Sequence, residues 1–250
     1  MVGNLFSSES VSSGHPDKLC DAISDAIVDA CLSVDPHARV AVETCVKGKS
    51  DRSLIVLAGE VTVKGDAPDY EQIARKAAAS IGYDSHIIGM DATSQELCDV
   101  QVHITTQSQY IAQGVDQNDL SQGAGDQGLM FGYACMETEG LDGLTGTFFP
   151  LAAALSQKLT RRLTEVREKG ILPWARPDAK SQVTIEYGDE GQVSHVHTVV
   201  IAIQHDDKLK DQFDGDEDKE QAYIRDEIEK HVVKHVIPES ILPEDYRLVV

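Results

Sequence analysis

The chain has 250 residues, of which 41% are hydrophobic and 26% charged, which predicts a folded globular protein of one large or two modest domains. Its formal net charge of −20 repels nucleic acids and anionic membranes, so we expect neither as a partner. No apolar run approaches the roughly 20 residues that a membrane-spanning helix needs, and the N-terminus lacks the basic and apolar regions of a signal peptide.

The first half of the chain alternates between helical and strand patterns. Apolar residues from Leu19 to Cys31 recur with helical spacing, and Asp69 precedes a second helical pattern as its expected cap. The patterns predict, in chain order, a helix over 16–34, strands over 39–47 and 53–63, a helix over 69–81 and a strand over 97–105.

The second half begins with a polar, glycine-rich stretch from Gln107 to Gly128, which is typical of a functional or mobile loop. We then predict a helix over 150–169, an irregular link over 171–182, strands over 182–187 and 192–204 joined by a hairpin turn, and a last helix ending before Pro238. This order favours an α+β fold with mixed sheets covered on one face by helices.

The cysteines predict the cellular compartment of the protein, and the C-terminal residues predict whether the chain is part of a larger protein. The five cysteines are odd in number and lack C-x-x-C spacing, so we expect reduced, mostly buried thiols in a cytoplasmic protein. Residues 247–250 have the pattern of a buried strand that is just beginning, so we expect the chain to be part of a larger protein.

The strongest functional signal is the turn Gly14-His15-Pro16-Asp17-Lys18, which places an imidazole, a carboxylate and an ammonium group together as a helix begins. Pro16 and Asp17 also suit an ordinary helix start, because proline fits the first turn and a carboxylate complements the helix dipole. That simpler interpretation leaves His15 and Lys18 without a role, so both interpretations stay open on these residues alone.

Other polar residues in predicted strands are weaker candidates. Glu43 and Glu60 stand among apolar residues, where a buried carboxylate needs a cation, unless both point to solvent from the open face of a sheet. Asp178 and Lys180 would suit a ribose and a phosphate, although such pairs are common in loops. Residues 123–128 match G-x-G-x-x-G, but no strand precedes them, which argues against a nicotinamide-binding domain.

Taken together, these segments resemble the S-adenosylmethionine synthetase (methionine adenosyltransferase) family. The resemblance rests on Phe6 to Val11 with Gly14 to Lys18, and it covers most of residues 5–185. It continues through Ile23 to Ala26, Asp35-Pro36, Ala41 to Thr44, Gly59 to Thr62, Gln113 to Asp116, Gln122 to Ala134 and Leu172 to Thr184. The segments 46–53 and 107–111 depart from the family pattern.

The resemblance implies a reaction in which the sulfur of L-methionine attacks C5′ of ATP, and the displaced triphosphate is then hydrolysed to phosphate and pyrophosphate. It implies Mg²⁺ and K⁺ as cofactors. By similarity, the catalytic residues are His15 and Lys180, the ATP contacts are His15, Asp126, Asp178, Ala179 and Lys180, the methionine contacts are Glu60 and Gln107, the Mg²⁺ ligand is Asp17 and the K⁺ ligand is Glu43.

The resemblance also implies a domain plan of interleaved βαββαβ domains. Residues 1–13 with 137–250 would form one domain, 14–106 part of a second, and 107–136 an active-site loop, mobile over 107–122, and a hairpin of a third. Most family members are homodimers or homotetramers with shared active sites, which we expect here. The alternative is a catalytically incomplete fragment or paralogue that acts as a binding or regulatory subunit.

Overall fold

The computed structural model describes residues 4–106 and 127–250. Its main helices and strands are, in chain order, β1 Asn4–Val11, α1 Pro16–Val34, β2 Arg39–Lys47, β3 Ser53–Thr62, α2 Tyr70–Ile81, β4 Asp84–Ser85, β5 Met90–Asp91, β6 Cys98–Thr105, α3 Leu151–Glu168, β7 Ala175–Tyr187, β8 Val193–His205, α4 Glu217–Ile228, α5 Lys234–Val236 and β9 Arg247–Val249. The π-helix Glu229–Val233 links α4 to α5. The predicted α+β class is confirmed.

The chain divides into two compact units, residues 1–18 with 133–250 and residues 19–132, here called the first and the second unit. The first unit contains a four-stranded sheet in the order β1-β7-β8-β9. Its neighbours are antiparallel except for β8 and β9, which run parallel, so the sheet is mixed as expected.

The core of the first unit lies between this sheet and its helices. α3 contributes an apolar stripe at helical spacing because every third or fourth residue faces the sheet. Trp174 is 5% exposed and belongs to the same core, where its ring meets Tyr223 of α4 edge-on. The buried α3 residues of the core are Leu151, Ala152, Leu155, Leu159, Leu163 and Val166.

The irregular link predicted over 171–182 is wrong from residue 175 onward. β7 begins at Ala175, seven residues before the predicted start of the strand at residue 182, and it is an inner strand of the sheet. Its pairing with β8 shifts between Ala175 and Ala179, and Pro177 lies within this irregularity. A proline has no N–H to donate to a ladder, so an inner strand tolerates it where the ladder is interrupted. The predicted hairpin is confirmed, because β7 and β8 are antiparallel neighbours.

The second unit contains a three-stranded sheet in the order β2-β3-β6, together with the small ladder of β4 and β5. β2 and β3 are antiparallel, whereas β3 and β6 are parallel. Asp69 caps α2 as predicted, because its side chain accepts a hydrogen bond from the backbone N–H of Gln72. The buried core includes Leu19, Ile23, Ile27, Ile55, Leu57, Ala74 and Ala78.

Arg75 of α2 is a buried cation that ties a loop to this core. Its guanidinium donates to the backbone carbonyls of Ala92, Ser94 and Cys98 at 3.0–3.3 Å. It also pairs with Glu71 one turn earlier at 2.9 Å. Four acceptors therefore compensate a side chain that is 6% exposed.

The sequence predicted reduced, mostly buried cysteines and no membrane-spanning helix. Cys31 and Cys98 are buried and Cys45 is exposed, so the expected burial holds for only part of the set, and the expected reduced state stays a prediction. Within residues 4–106 and 127–250, no helix is both long and apolar enough to cross a membrane.

Candidate active site

The turn after β1 is fastened to β7 by one buried serine. The backbone N–H of Ser12 donates to the carbonyl of Ala179 at 2.9 Å, which extends the β1–β7 ladder. Its hydroxyl donates to the carbonyl of Pro177 at 2.7 Å and accepts from the N–H of Ala179 at 2.8 Å. Ser12 therefore satisfies backbone groups at the irregular start of β7, where the normal ladder is interrupted.

Gly14 allows the turn to approach this strand closely. A Cβ atom at Gly14 would lie 2.3 Å from Pro177 Cβ and 2.5 Å from the Pro177 carbonyl oxygen. These separations are far below van der Waals contact, so any side chain would push the turn away from β7. The glycine therefore has a steric role, which the helix-start interpretation did not include.

The imidazole of His15 is oriented by its own turn. The backbone N–H of His15 donates to the Ser12 carbonyl at 3.1 Å, and the backbone N–H of Asp17 donates to His15 Nδ1 at 3.2 Å. Because Nδ1 accepts, the proton of the neutral ring lies on Nε2, which is thus a hydrogen-bond donor. Asp17 Oδ2 lies 3.7 Å from His15 Nδ1, and the Asp17 side chain is 84% exposed.

The Asp178 carboxyl lies close enough to this turn for the charges of His15 and Asp17 to shift its pKa. Burial raises the pKa of the half-buried Asp178 carboxyl, His15 lowers it, and the Asp17 carboxylate raises it again. The structure therefore brings together three of the predicted site residues, from positions about 160 apart in the sequence. The close carboxylates make this a place that favours a cation or a hydrogen-bond donor.

Lys180 follows Asp178 on the same face of β7, because side chains two residues apart in a strand point the same way. Its ammonium lies 2.9 Å from the Glu9 carboxylate of β1. Both side chains are substantially exposed, so this ion pair is weak and could be exchanged for an anionic ligand. Ala179, which lies between Asp178 and Lys180 in the strand, is buried, and both of its backbone polar groups are bonded to Ser12.

Glu43 and Glu60 belong to the second unit and lie on the adjacent strands β2 and β3. Glu43 is exposed and Glu60 partly exposed, so burial does not demand a cation for either, and the solvent-facing interpretation describes their placement. Gly59, next to Glu60, has a φ of 149°, and a Cβ there would lie within 2.0 Å of the Ala41 carbonyl oxygen. Only glycine fits this close approach of the two strands.

Two predicted contacts and the predicted loop lie outside the described residues. These are Gln107, Asp126 and the segment 107–122. Sequence reasoning gave no role to Glu9, which falls in the Phe6 to Val11 segment that carries the resemblance, or to Ser12, which directly follows that segment. The only sequence signal for Ser12 is a polar residue placed where a strand ends and a glycine turn begins.

The described residues hold no group of three or more His, Cys, Asp or Glu side chains that could bind a metal ion by themselves. Mg²⁺ in nucleotide sites usually takes one or two protein carboxylates and completes its shell with water and substrate phosphates. The exposed Asp17 carboxylate beside Asp178 fits that donor set. For K⁺, the exposed Glu43 offers a single carboxylate.

Comparison with protein-family profiles gives two matches that follow one another along the chain. The profile of the S-adenosylmethionine synthetase N-terminal domain matches residues 3–109. The profile of the S-adenosylmethionine synthetase central domain matches residues 121–250, more than half of the chain. The chain belongs to the S-adenosylmethionine synthetase family, so the resemblance drawn from the sequence is confirmed.

Proposed function

We propose that this chain transfers the adenosyl group of ATP to the sulfur of L-methionine, giving S-adenosylmethionine with phosphate and pyrophosphate. The observation that carries the proposal is the juxtaposition of His15, Asp17 and Asp178, which Ser12 and Gly14 hold against β7 in a chain of this family. A departing triphosphate requires such an arrangement of a donor, cations and metal-binding carboxylates.

In the proposed reaction, the methionine sulfur forms a bond to C5′ of ATP while the C5′–O bond breaks. The electron pair of that bond leaves with the triphosphate, and the sulfur becomes a sulfonium ion, so no proton is transferred in this step. The same site then hydrolyses the triphosphate. The protein must therefore bind a strongly anionic leaving group in a chain whose formal charge is −20.

The residues of the first unit have distinct proposed roles. His15 Nε2–H donates to the triphosphate near the bond that breaks, and Lys180 binds the phosphates after leaving Glu9. Asp17 holds Mg²⁺, which when bound neutralises part of the phosphate charge. Asp178 contacts ATP, and Ala179 supports the ATP site through its two bonds to Ser12.

The remaining roles stay proposals from the family. Glu60 pairs with the ammonium group of methionine, together with Gln107, and Asp126 contacts ATP. Glu43 is the proposed K⁺ ligand. We further propose a cytoplasmic protein that forms homodimers or homotetramers with shared sites.

The test is to incubate the chain with ATP, methionine, Mg²⁺ and K⁺ and to measure S-adenosylmethionine, phosphate and pyrophosphate. Asp17→Asn should lower turnover by at least about tenfold, whereas Asp21→Asn, on the exposed face of the same helix, should leave it within about twofold. Release of ADP would contradict the proposed reaction. Binding of ATP and methionine without turnover would instead support the binding or regulatory subunit.

A further inference from the structure

A polar cavity lies in the first unit, on the side of the Ser12 turn that faces α3. It has a volume of about 560 Å³. It is lined by the end of β1, by the turn and by one face of α3, and none of the residues of the proposed ATP site lines it. Its walls carry hydroxyl, amide and cationic groups together with two carboxylates.

Two cations in this cavity have no ion-pair partner in the part of the chain that the structure describes. Lys18 and Arg161 are both exposed, and within residues 4–106 and 127–250 neither forms an ion pair. They come from different elements, the first turn of α1 and the middle of α3. Ser13 and Gln157, also in the lining, add a hydroxyl and an amide that can donate hydrogen bonds.

The carboxylates of the cavity are already neutralised by other cations. Glu165 pairs with Arg162 at 2.7 Å and with Lys169 at 2.5 Å. The hydrogen bonds from Lys169 and then Arg162 lower the pKa of Glu165 to about 2, so it stays ionised and keeps both partners. Glu168 pairs with Arg167 at 3.3 Å. The charge left over in the cavity is therefore positive.

We propose that this cavity binds a phosphate-type oxyanion, either inorganic pyrophosphate or triphosphate or the terminal phosphates of a nucleotide, through Arg161 and Lys18. A guanidinium offers two parallel donors that match two phosphate oxygens, while an ammonium acts as a point charge beside them. The volume exceeds that of a single phosphate and has room for two or three linked phosphates. The site does not depend on the proposed adenosyl transfer.

The test uses calorimetric titration of the chain with sodium pyrophosphate in low-salt buffer containing EDTA, so that no metal-bound anion contributes. Arg161→Gln should weaken binding by at least about tenfold, because it removes one charged, bidentate contact. Lys18→Gln should weaken it in the same direction. Trp174 fluorescence checks that both variants keep the fold of the first unit.

Two charge-matched controls locate the effect. Lys158 shares two other cavities with Arg161 but does not line this one, so Lys158→Gln should leave binding within about twofold. Lys208→Gln, at an exposed lysine of the first unit that does not line this cavity, should do the same. Equal weakening in either control, unchanged binding in Arg161→Gln, or no binding by the unaltered chain would overturn the proposal.

The same titrations separate the two sources of phosphate. A site for a nucleotide should bind ATP more tightly than inorganic triphosphate, and Arg161→Gln should weaken both. A site for the inorganic anion should bind triphosphate at least as tightly as ATP. Both results support the cavity as an oxyanion site and assign its ligand.

Discussion

Replacing Ser12 with alanine tests whether one hydroxyl fastens the candidate active site to β7. The serine is 3% exposed, and its hydroxyl serves both the Pro177 carbonyl and the Ala179 N–H. Alanine fits the same space but offers neither bond. The substitution thus leaves two backbone groups without their partner in a region closed to water.

The magnitude follows from those two groups. A buried backbone donor or acceptor that loses its partner costs about 1–3 kcal/mol, and local relaxation recovers part of it. We therefore expect Ser12→Ala to lower the free energy of unfolding of the first unit by about 2–4 kcal/mol. Ser13→Ala is the matched control, because Ser13 is its half-exposed neighbour, and it should stay within about 0.5 kcal/mol of the unaltered chain.

The assay is urea unfolding followed by the fluorescence of Trp174. This is the chain's single tryptophan, and it lies in the core of the first unit, so its signal reports that unit and not the second. If Ser12→Ala and Ser13→Ala unfold at the same urea concentration, the hydroxyl does not hold the turn, and our account of the site's architecture is wrong.

Three further predictions follow from the same structure. Gly14→Ala should destabilise the first unit by about 1–3 kcal/mol in the same urea assay, because its Cβ would overlap the facing strand; an unchanged midpoint would show that the turn can move away freely. In NMR titrations, Asp17→Asn should lower the pKa of Asp178, and His15→Gln should raise it further. Because the pKa of Asp178 is raised in the folded state, the stability that this carboxyl contributes is present below its ordinary pKa of 3.8 and is lost as pH rises through the folded value. Shifts of the Asp178 pKa in the opposite directions would contradict the charge arrangement. Arg75→Met should destabilise the second unit by about 3–5 kcal/mol, measured by amide exchange in β6, since three backbone carbonyls, two of them in buried bonds, lose their donor. Exchange as slow as in the unaltered chain would disprove this role.

Local patterns predicted the helices well because their causes are local. The apolar stripe of α1 and the Asp69 cap of α2 each depend on residues within a few positions of one another. The β7–β8 hairpin was predictable for the same reason, from two alternating runs around a glycine-bounded turn.

The start of β7 was not predictable in this way. Pro173 and Pro177 gave the pattern of a loop, and local reasoning treats a proline as evidence against an inner strand. β7 nevertheless begins before Pro177 because Ser12, which is distant in the sequence, supplies the hydrogen bonds that the interrupted ladder lacks. The assembly of the site has the same origin, since β1 and β7 meet only in the folded chain.

The candidate residues were predicted from their chemistry and from the family resemblance, whereas their ion-pair and hydrogen-bond partners are known only from the structure. The resemblance, and not the residue patterns by themselves, indicated His15, Asp17, Asp178 and Lys180 as a group. It could not indicate that Lys180 pairs with Glu9, because that pair depends on the register of β1 on β7. Arg75 is a similar case, since two of its carbonyl partners, Ala92 and Ser94, lie in a loop without a sequence pattern.

The pairing of β1 with β7 has a consequence for the order in which the protein is made. Ser7 and Thr184, which are bonded across these strands, are 177 residues apart. At about 5–20 residues per second, a ribosome finishes β7 roughly 10–35 s after it finishes β1. During that delay β1 has no sheet to join, and Leu5 and Phe6, which stay exposed even in the folded chain, are available to other chains. The nascent chain should therefore depend on chaperones most during this interval.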